Sequence, residues 1–429
     1  MRVRHNNTPP HPNEIEDDEA EEILFDNDIP PDADDELEME EITMEELEAR
    51  YGYLSDDEDE RSDNPNNDTV FFPPERDDAK LTFMKHKWAV FGGSLHPSRP
   101  LAATGGQDDR AYVWSINTCE LVYEITEHKD TVTDVHFSYD GTYLATGDMA
   151  GELFVHKLQE NESGGAAITL RKIWEYSMGD LTWMQWHRAA NVLLAGSENG
   201  EAYVWRIPSG DCKILPGGGV RCGVGELTGD GKKLFVGYSN GGVKLWDLKS
   251  CTVVMDVDAQ HPLAHQSLVL SVACDKESPL YAAGGLDGKI VFYTNNGPVG
   301  SVEAEGSVEC IAFPPSNELK IVASGTLHGQ IAVWDYTKYG LRALCDYTFE
   351  EGFKGGITRI KWLTDHTLIA ATMDGSVIGF DARSGARKFS LEGHVAEVYE
   401  MCYNPNENIL LTVSEDRRAK IFNVPQLGD

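Results

Sequence analysis

Asp108-Asp109-Arg110-Ala111-Tyr112-Val113-Trp114 and Asn199-Gly200-Glu201-Ala202-Tyr203-Val204-Trp205 are two copies of one signature: a turn residue of the Asp or Asn type, then alternating apolar positions ending in a large side chain. The signature returns from Ala150 to His156, Asn240 to Trp246, Asp287 to Tyr293, His328 to Trp334, Asp374 to Phe380 and Asp416 to Phe422. Its end residues, 114, 156, 205, 246, 293, 334, 380 and 422, are spaced by 42, 49, 41, 47, 41, 46 and 42. A period of ~40–45 residues is that of a four-stranded propeller blade. Asp/Asn-Gly supplies positive φ for a two-residue hairpin, so each copy reads as the turn between a blade's second and third strands, with one face of the following strand buried against the next blade. Eight copies make an all-β, eight-bladed β-propeller, assigned to residues 69–429. The last copy ends close to the C-terminus, which leaves blade eight without an outer strand; residues 79–85, Ala-Lys-Leu-Thr-Phe-Met-Lys, are the donor that closes the ring and removes a free sheet edge.

Upstream, residues 1–68 hold 26 Asp and Glu against 4 Arg and no Lys, a net of −22 out of −36 for the chain. Self-repulsion and scarce apolar residues predict a disordered acidic arm, with Met39–Ala49 able to fold as a short helix on a partner. Ser55, followed by Asp56-Asp57-Glu58-Asp59-Glu60, is a candidate phosphorylation site for an acidophilic kinase. No basic stripe offers itself to phosphates, so direct nucleic-acid binding is not expected. Neither a ~20-residue apolar run nor a signal-peptide core is present, so no membrane insertion is expected and the protein is placed in the cytoplasm or nucleus.

Catalytic and metal-binding patterns dissolve on inspection. The eight cysteines contain no Cys-x-x-Cys pair and read as buried free thiols. Gly237-Tyr238-Ser239-Asn240-Gly241 has the spacing of a nucleophile elbow but falls at the blade-four hairpin rather than at a strand-to-helix turn. Gly217-Gly218-Gly219 lacks the Lys-Ser/Thr of a phosphate loop, and Gly223-Val224-Gly225 lacks a third glycine; both read as loops. His261 and His265 lack a third metal ligand and read as core or loop histidines. No catalytic, cofactor-binding or metal-ligating residues are assigned, and the protein is expected not to be an enzyme.

Over nearly all of residues 79–429 the chain resembles the WD-repeat family. The family's hydrogen-bonded set maps onto His86, Thr104, Asp108 and Trp114 in blade one and onto His394, Thr412 and Asp416, with Phe422 in place of Trp, in blade eight. Blade two keeps His128 and Thr146 but has Ala150 for the Asp and His156 for the Trp. The resemblance implies a structural role for these residues. Asp180-Leu181-Thr182-Trp183-Met184-Gln185-Trp186-His187, Ala145 to Gly151 and Pro208 to Lys213, together with the acidic arm, look like the angio-associated migratory cell protein family. That likeness implies cytoplasmic protein binding and, in animals, links to cell migration and angiogenesis. The same family is similar to a fungal WD-repeat chaperone that captures one basic large-subunit ribosomal protein on an acidic propeller face.

In such propellers three positions per blade point to the narrow face: the residue before the inner strand's first core apolar, the one two after that apolar, and the one before the hairpin Asp. Blade two gives Thr131, Asp134 and Met149; blade three Asp180, Trp183 and Glu198; blade eight Glu397, Glu400 and Glu415; blade one Ala89, Gly92 and Gln107. Blade seven adds Arg359. Six carboxylates gathered with no stabilising reason mark a partner site for a basic protein segment, with Trp183 as its apolar anchor. The expected function is a monomeric, non-enzymatic platform working in transient complexes, a chaperone of a basic client such as a ribosomal protein. A signalling or adaptor scaffold is the alternative.

Overall fold

The computed structural model describes residues 71, 74–160, 168–345 and 355–425. The acidic arm and Ser55 lie outside the described residues. The rest forms eight four-stranded antiparallel sheets, seven of them simple meanders of consecutive strands. In the eighth, Leu81–Phe83 is the outer strand beside Ala419–Asn423, in the register Leu81 to Ile421, Thr82 to Lys420 and Phe83 to Ala419. Among the described residues no helix is long and apolar enough to cross a membrane.

The core is divided into eight apolar clusters, each spanning two adjacent blades. In blade one, Ala103, Ala111 and Val113 pack with Val132, Val135 and Leu144 of blade two. Their chain neighbours Ala102, Tyr112 and Trp114 pack with Leu411, Val413 and Ile421 of blade eight and with Phe83. Both faces of the middle strands are therefore buried, rather than the single face that alternation suggested. What alternates is which neighbouring blade a side chain meets. Sheets packed this closely need gaps for the next inner strand. A Cβ on Gly105 would lie 2.6 Å from Val132 Cγ1, and one on Gly325 would lie 2.4 Å from Ile357 Cγ2.

The turns between second and third strands are longer than the two residues expected. In blade one Gly106 pairs with Arg110, so Gln107, Asp108 and Asp109 form the loop. A single residue per turn has positive φ: Gly151, Gly200, Gly241, Gly288, Gly329 and Gly375, and the non-glycines Asp109 (57°) and Arg417 (69°) in blades one and eight. One left-handed residue closing a three- or four-residue loop fits a type I turn followed by a bulge; a two-residue type I′ turn would need two. Ser239 sits in the blade-four copy of this turn, between Lys233–Gly237 and Val243–Asp247. Val224 and Gly225 belong to that blade's inner strand, Val224–Leu227, and so are not a loop. The cysteines are free, but Cys212, on an outer strand, is exposed, and Cys119, Cys251 and Cys402 are half-buried at the margins of the apolar clusters, so only four of the eight are the buried thiols expected.

Candidate partner-binding face

Each blade fastens its upper turn to the segment entering its inner strand by the same backbone hydrogen bond. Gln107 N donates to Ala89 O (2.9 Å), Met149 to Thr131 (2.9 Å), Glu198 to Asp180 (3.0 Å), Ser239 to Arg221 (3.1 Å), Leu286 to Leu268 (2.9 Å), Leu327 to Ser307 (3.1 Å), Met373 to Gly356 (2.9 Å) and Glu415 to Glu397 (3.0 Å). Two of the three face positions in every blade are thus the two ends of one bond. In seven blades a register shift follows at the inner strand's first apolar residue, for example between Val132 and Asp134, Leu181 and Trp183, Ile357 and Arg359, and Val398 and Glu400. A bulge re-aims the residue after it. Here that residue is the third face position, and Gly92, Asp134, Trp183, Val224, Ser271, Cys310, Arg359 and Glu400 all line the central cavity of about 720 Å³.

The carboxylates differ in their surroundings. Asp180 and Glu415 are exposed. Glu397 and Glu198 are half-buried, and Glu198 meets Arg221 of the next blade at 2.8 Å. Glu400 meets Arg359 of the preceding blade at 3.1 Å. Burial would raise the Glu400 carboxyl, but Arg359 and Lys361 outweigh it and hold it below the ordinary carboxylate value. Asp134 accepts hydrogen bonds from Met184 N (3.1 Å) and Thr133 Oγ1 (3.0 Å) and faces His136 at 3.4 Å. Asp134, Glu198 and Glu400 therefore have local partners, which corrects the expectation of charges with no stabilising reason. The compensating cations come from neighbouring blades, 23 and 41 residues away in the chain; the sequence placed Arg359 on the face but not its pairing with Glu400, and it passed over Arg221.

Trp183 is not an exposed anchor. It is 9% exposed, its Nε1 donates to Cys222 O at 3.1 Å, and its ring fills the space left by Gly196 and Gly225. The exposed aromatic is Trp88, 44% exposed, in the segment entering blade one, with the Arg417 guanidinium 4.8 Å from its ring centre. At the central cavity Phe91 stacks on Tyr399 at 4.8 Å, Tyr399 standing between Glu397 and Glu400 in the chain. Met149 adds a second exposed apolar side chain (39%). Trp88 stands one residue ahead of the first face position of its blade, so a scheme of three positions per blade passes over it.

Behind the face lie the buried histidines. His86 bonds Asp108 (3.0 Å) and Thr104 (3.0 Å); His394 bonds Asp416 (2.9 Å) and Thr412 (2.8 Å). Trp114 does not complete the set in blade one: its Nε1 has no hydrogen-bond partner, and its ring is instead held by stacking on Phe83 at 4.8 Å. The Trp link is made in blade six, where Trp334 Nε1 donates to Ser324 Oγ at 2.8 Å. Blade two takes its acid from Asp148, two residues ahead of Ala150, which meets His128 at 2.9 Å while Thr146 meets it at 2.8 Å. Blade five uses His265, which bonds Asp287 (3.0 Å) and donates to Ala283 O (3.2 Å); His261 lies in an exposed loop. His156, in the Trp position of blade two, is fully buried, neither ring nitrogen makes a hydrogen bond, and Nε2 lies 3.8 Å from Glu127 Oε1. Burial pushes its pKa down to about 4 against the opposing pull of Glu127.

Comparison with known proteins gives this architecture relatives. The WD domain, G-beta repeat model matches residues 119–156, 297–335 and 385–423. The chain is 33% identical over 429 aligned positions to angio-associated migratory cell protein of Homo sapiens, covering 95% of this chain and 94% of the relative. It is 24% identical to ribosome assembly protein SQT1 of Saccharomyces cerevisiae, covering 86% and 92%. Among solved structures it is similar to Chaetomium thermophilum Sqt1 bound to the N-terminus of the ribosomal protein L10, with TM-score 0.73 at 22% identity over 81% of this chain and 100% of that one.

Proposed function

We propose, from the premise that this chain belongs to the angio-associated migratory cell protein family of WD-repeat propellers, that it is a non-enzymatic platform that escorts a basic client through its acidic upper face. The client class is a newly made large-subunit ribosomal protein, engaged through a basic segment in the cytoplasm. The observation that carries this reading is the placement of Asp134, Asp180, Glu198, Glu397, Glu400 and Glu415 on the bulge and turn positions of blades two, three and eight. Their existing ion pairs do not oppose it. The carboxylates of both pairs keep access to solvent, 39% for Glu198 and 32% for Glu400, so an incoming Lys or Arg can reach them and take the place of Arg221 or Arg359 without leaving the carboxylate unpaired. Trp88, and the stack of Phe91 on Tyr399 at the central cavity, supply the apolar contact that charge alone lacks. The similar Sqt1 structure, bound to the N-terminus of a ribosomal protein, supports the choice of client class.

The test is affinity purification from cytosol with the wild type beside the variant Asp134→Asn, Asp180→Asn, Glu198→Gln, Glu397→Gln, Glu400→Gln, Glu415→Gln, its fold checked by thermal unfolding. One basic ribosomal protein should be enriched on the wild type, lost from the variant, and released from the wild type near 1 M salt, where the Debye length is ~3 Å. The same partners on both proteins, held independently of salt, would favour a signalling scaffold that uses the exposed Trp88 and Met149 instead.

A further inference from the structure

The two mouths of the channel differ in charge. Turns between first and second strands make the lower mouth, where a cavity of about 510 Å³ is lined by Arg188, Lys276 and Lys361 with one carboxylate, Glu226. The three cations come from three blades. Arg188 follows the inner strand Leu181–Trp186, Lys276 follows Val269–Cys274, and Lys361 lies near the lower end of Ile357–Trp362. Cations brought together in a chain of net charge −36 need an explanation. Glu226 supplies part of one, meeting Arg188 at 2.8 Å and accepting from Cys274 N at 3.2 Å. Lys361 is fixed by donating to Met401 O at 2.7 Å. Lys276 has no such anchor: it lies on an exposed turn, yet partial desolvation at the cavity rim and the nearby Arg188 and Lys361 push its ammonium below its ordinary value, with Glu226 and Asp365 pulling the other way. The remaining wall is apolar, formed by Ile311, Phe313, Ile360 and Trp362.

From this arrangement we infer that the lower mouth is a binding site for a compact polyanion, a small molecule carrying several phosphates such as an inositol polyphosphate. The volume falls within the range of ~300–1,000 Å³ usual for small-molecule sites. Arg and Lys set around a cavity from three directions suit phosphates spread around a ring, whereas an extended acidic chain calls for cations in a row. A bound polyanion removes the mutual repulsion of Arg188, Lys276 and Lys361, so binding stabilises the fold. The lower cavity shares Lys361 and Glu226 with the central cavity above it, whereas Lys276 lines the lower mouth and not the central cavity. Lys276 is therefore the position that reports this site by itself, and binding there does not depend on any client.

The test is isothermal titration calorimetry of the full chain with inositol hexakisphosphate at physiological salt, alongside thermal unfolding. Myo-inositol, inorganic phosphate and oligoglutamate of matched charge are the comparison ligands. The wild type should bind hexakisphosphate 1:1 with a raised unfolding temperature. Lys276→Gln/Lys361→Met should weaken binding by about two orders of magnitude, from the loss of two charge-assisted hydrogen bonds. Asp180→Asn/Glu415→Gln, on the opposite mouth, should leave it within about threefold, because surface charges that far away are screened. If the double variant does not fold, Lys276→Gln alone, on an exposed turn, should still lose about tenfold. Absent binding, equal binding by Lys276→Gln and the wild type, or tighter binding of oligoglutamate would each overturn the inference.

Discussion

Replacing Phe83 by Ala isolates the closure of the ring. Phe83 is 1% exposed, stacks on Trp114 at 4.8 Å with 6° between the rings, and lies 5.7 Å from Tyr112. Truncation removes ~150 Å² of buried apolar surface, which at ~25 cal/mol per Å² is about 4 kcal/mol. Trp114 and Tyr112 sit on a middle strand hydrogen-bonded on both sides and cannot close over the void, so the loss should reach about 4–5 kcal/mol. Set against a typical stability of ~5–15 kcal/mol, that is severe. Met84, the next residue, is 65% exposed, and Met84→Ala should change stability by no more than about 0.5 kcal/mol. Urea unfolding of both variants measures the difference, and hydrogen exchange at Ala419–Ile421 should quicken only in Phe83→Ala. A loss below about 1 kcal/mol for Phe83→Ala, or equal losses for both variants, would show that the strand Leu81–Phe83 does not hold the ring shut.

Three further outcomes follow from the buried polar groups and turns. His156, held neutral in the fold with its pKa near 4, allows the unfolded chain to bind more protons between the unfolded value of about 6.5 and 4. Stability should fall as pH drops through that window and level off below it, and His156→Phe should flatten that part of a pH series of melting temperatures. Asp148→Ala strands His128 Nδ1 and Glu152 N, both bonded at 2.9 Å, and should cost about 2–4 kcal/mol in urea unfolding. Gly151→Ala combines φ of 80° with a Cβ placed against Gly179 O, and should lose more than about 2 kcal/mol in the same assay; Asp109→Gly, which relieves the same left-handed position in blade one, should be neutral or stabilising.

The repeat was legible because the turn residue and the apolar end residue keep their spacing even where blades diverge. The buried histidine sets were only partly so. His86 to Thr104 and His394 to Thr412 span 18 positions, and each acid stands 22 from its histidine. The same steps from His265 land on Ala283 and Asp287, so blade five could have been recognised from its sequence. Asp148, at 20, breaks the step and needed coordinates. Trp183 was misjudged because alternation points it at the channel, while the slot that takes its indole is made by Gly196 and by Gly225 of the next blade. Arg359 was legible as a face residue of blade seven, but its pairing with Glu400, like that of Arg221 with Glu198, was not, for a related reason: register between blades is set by packing and leaves no mark within one repeat.

The recurring bond between upper turn and entry segment uses backbone atoms only, as do the inner-strand bulges. Exposed side chains at the turn and entry positions, such as Asp180 and Glu415, are consequently spectators of folding, fixed in space by groups that every residue except proline possesses, whereas bulge residues such as Trp183 and Asp134 also pack or bond inward. A surface built this way can be rewritten blade by blade, each substitution changing what is recognised while the frame that presents it stays put. One ring of blades can thus serve as a set of fixed addresses, and at the exposed positions partner choice can change without renegotiating stability.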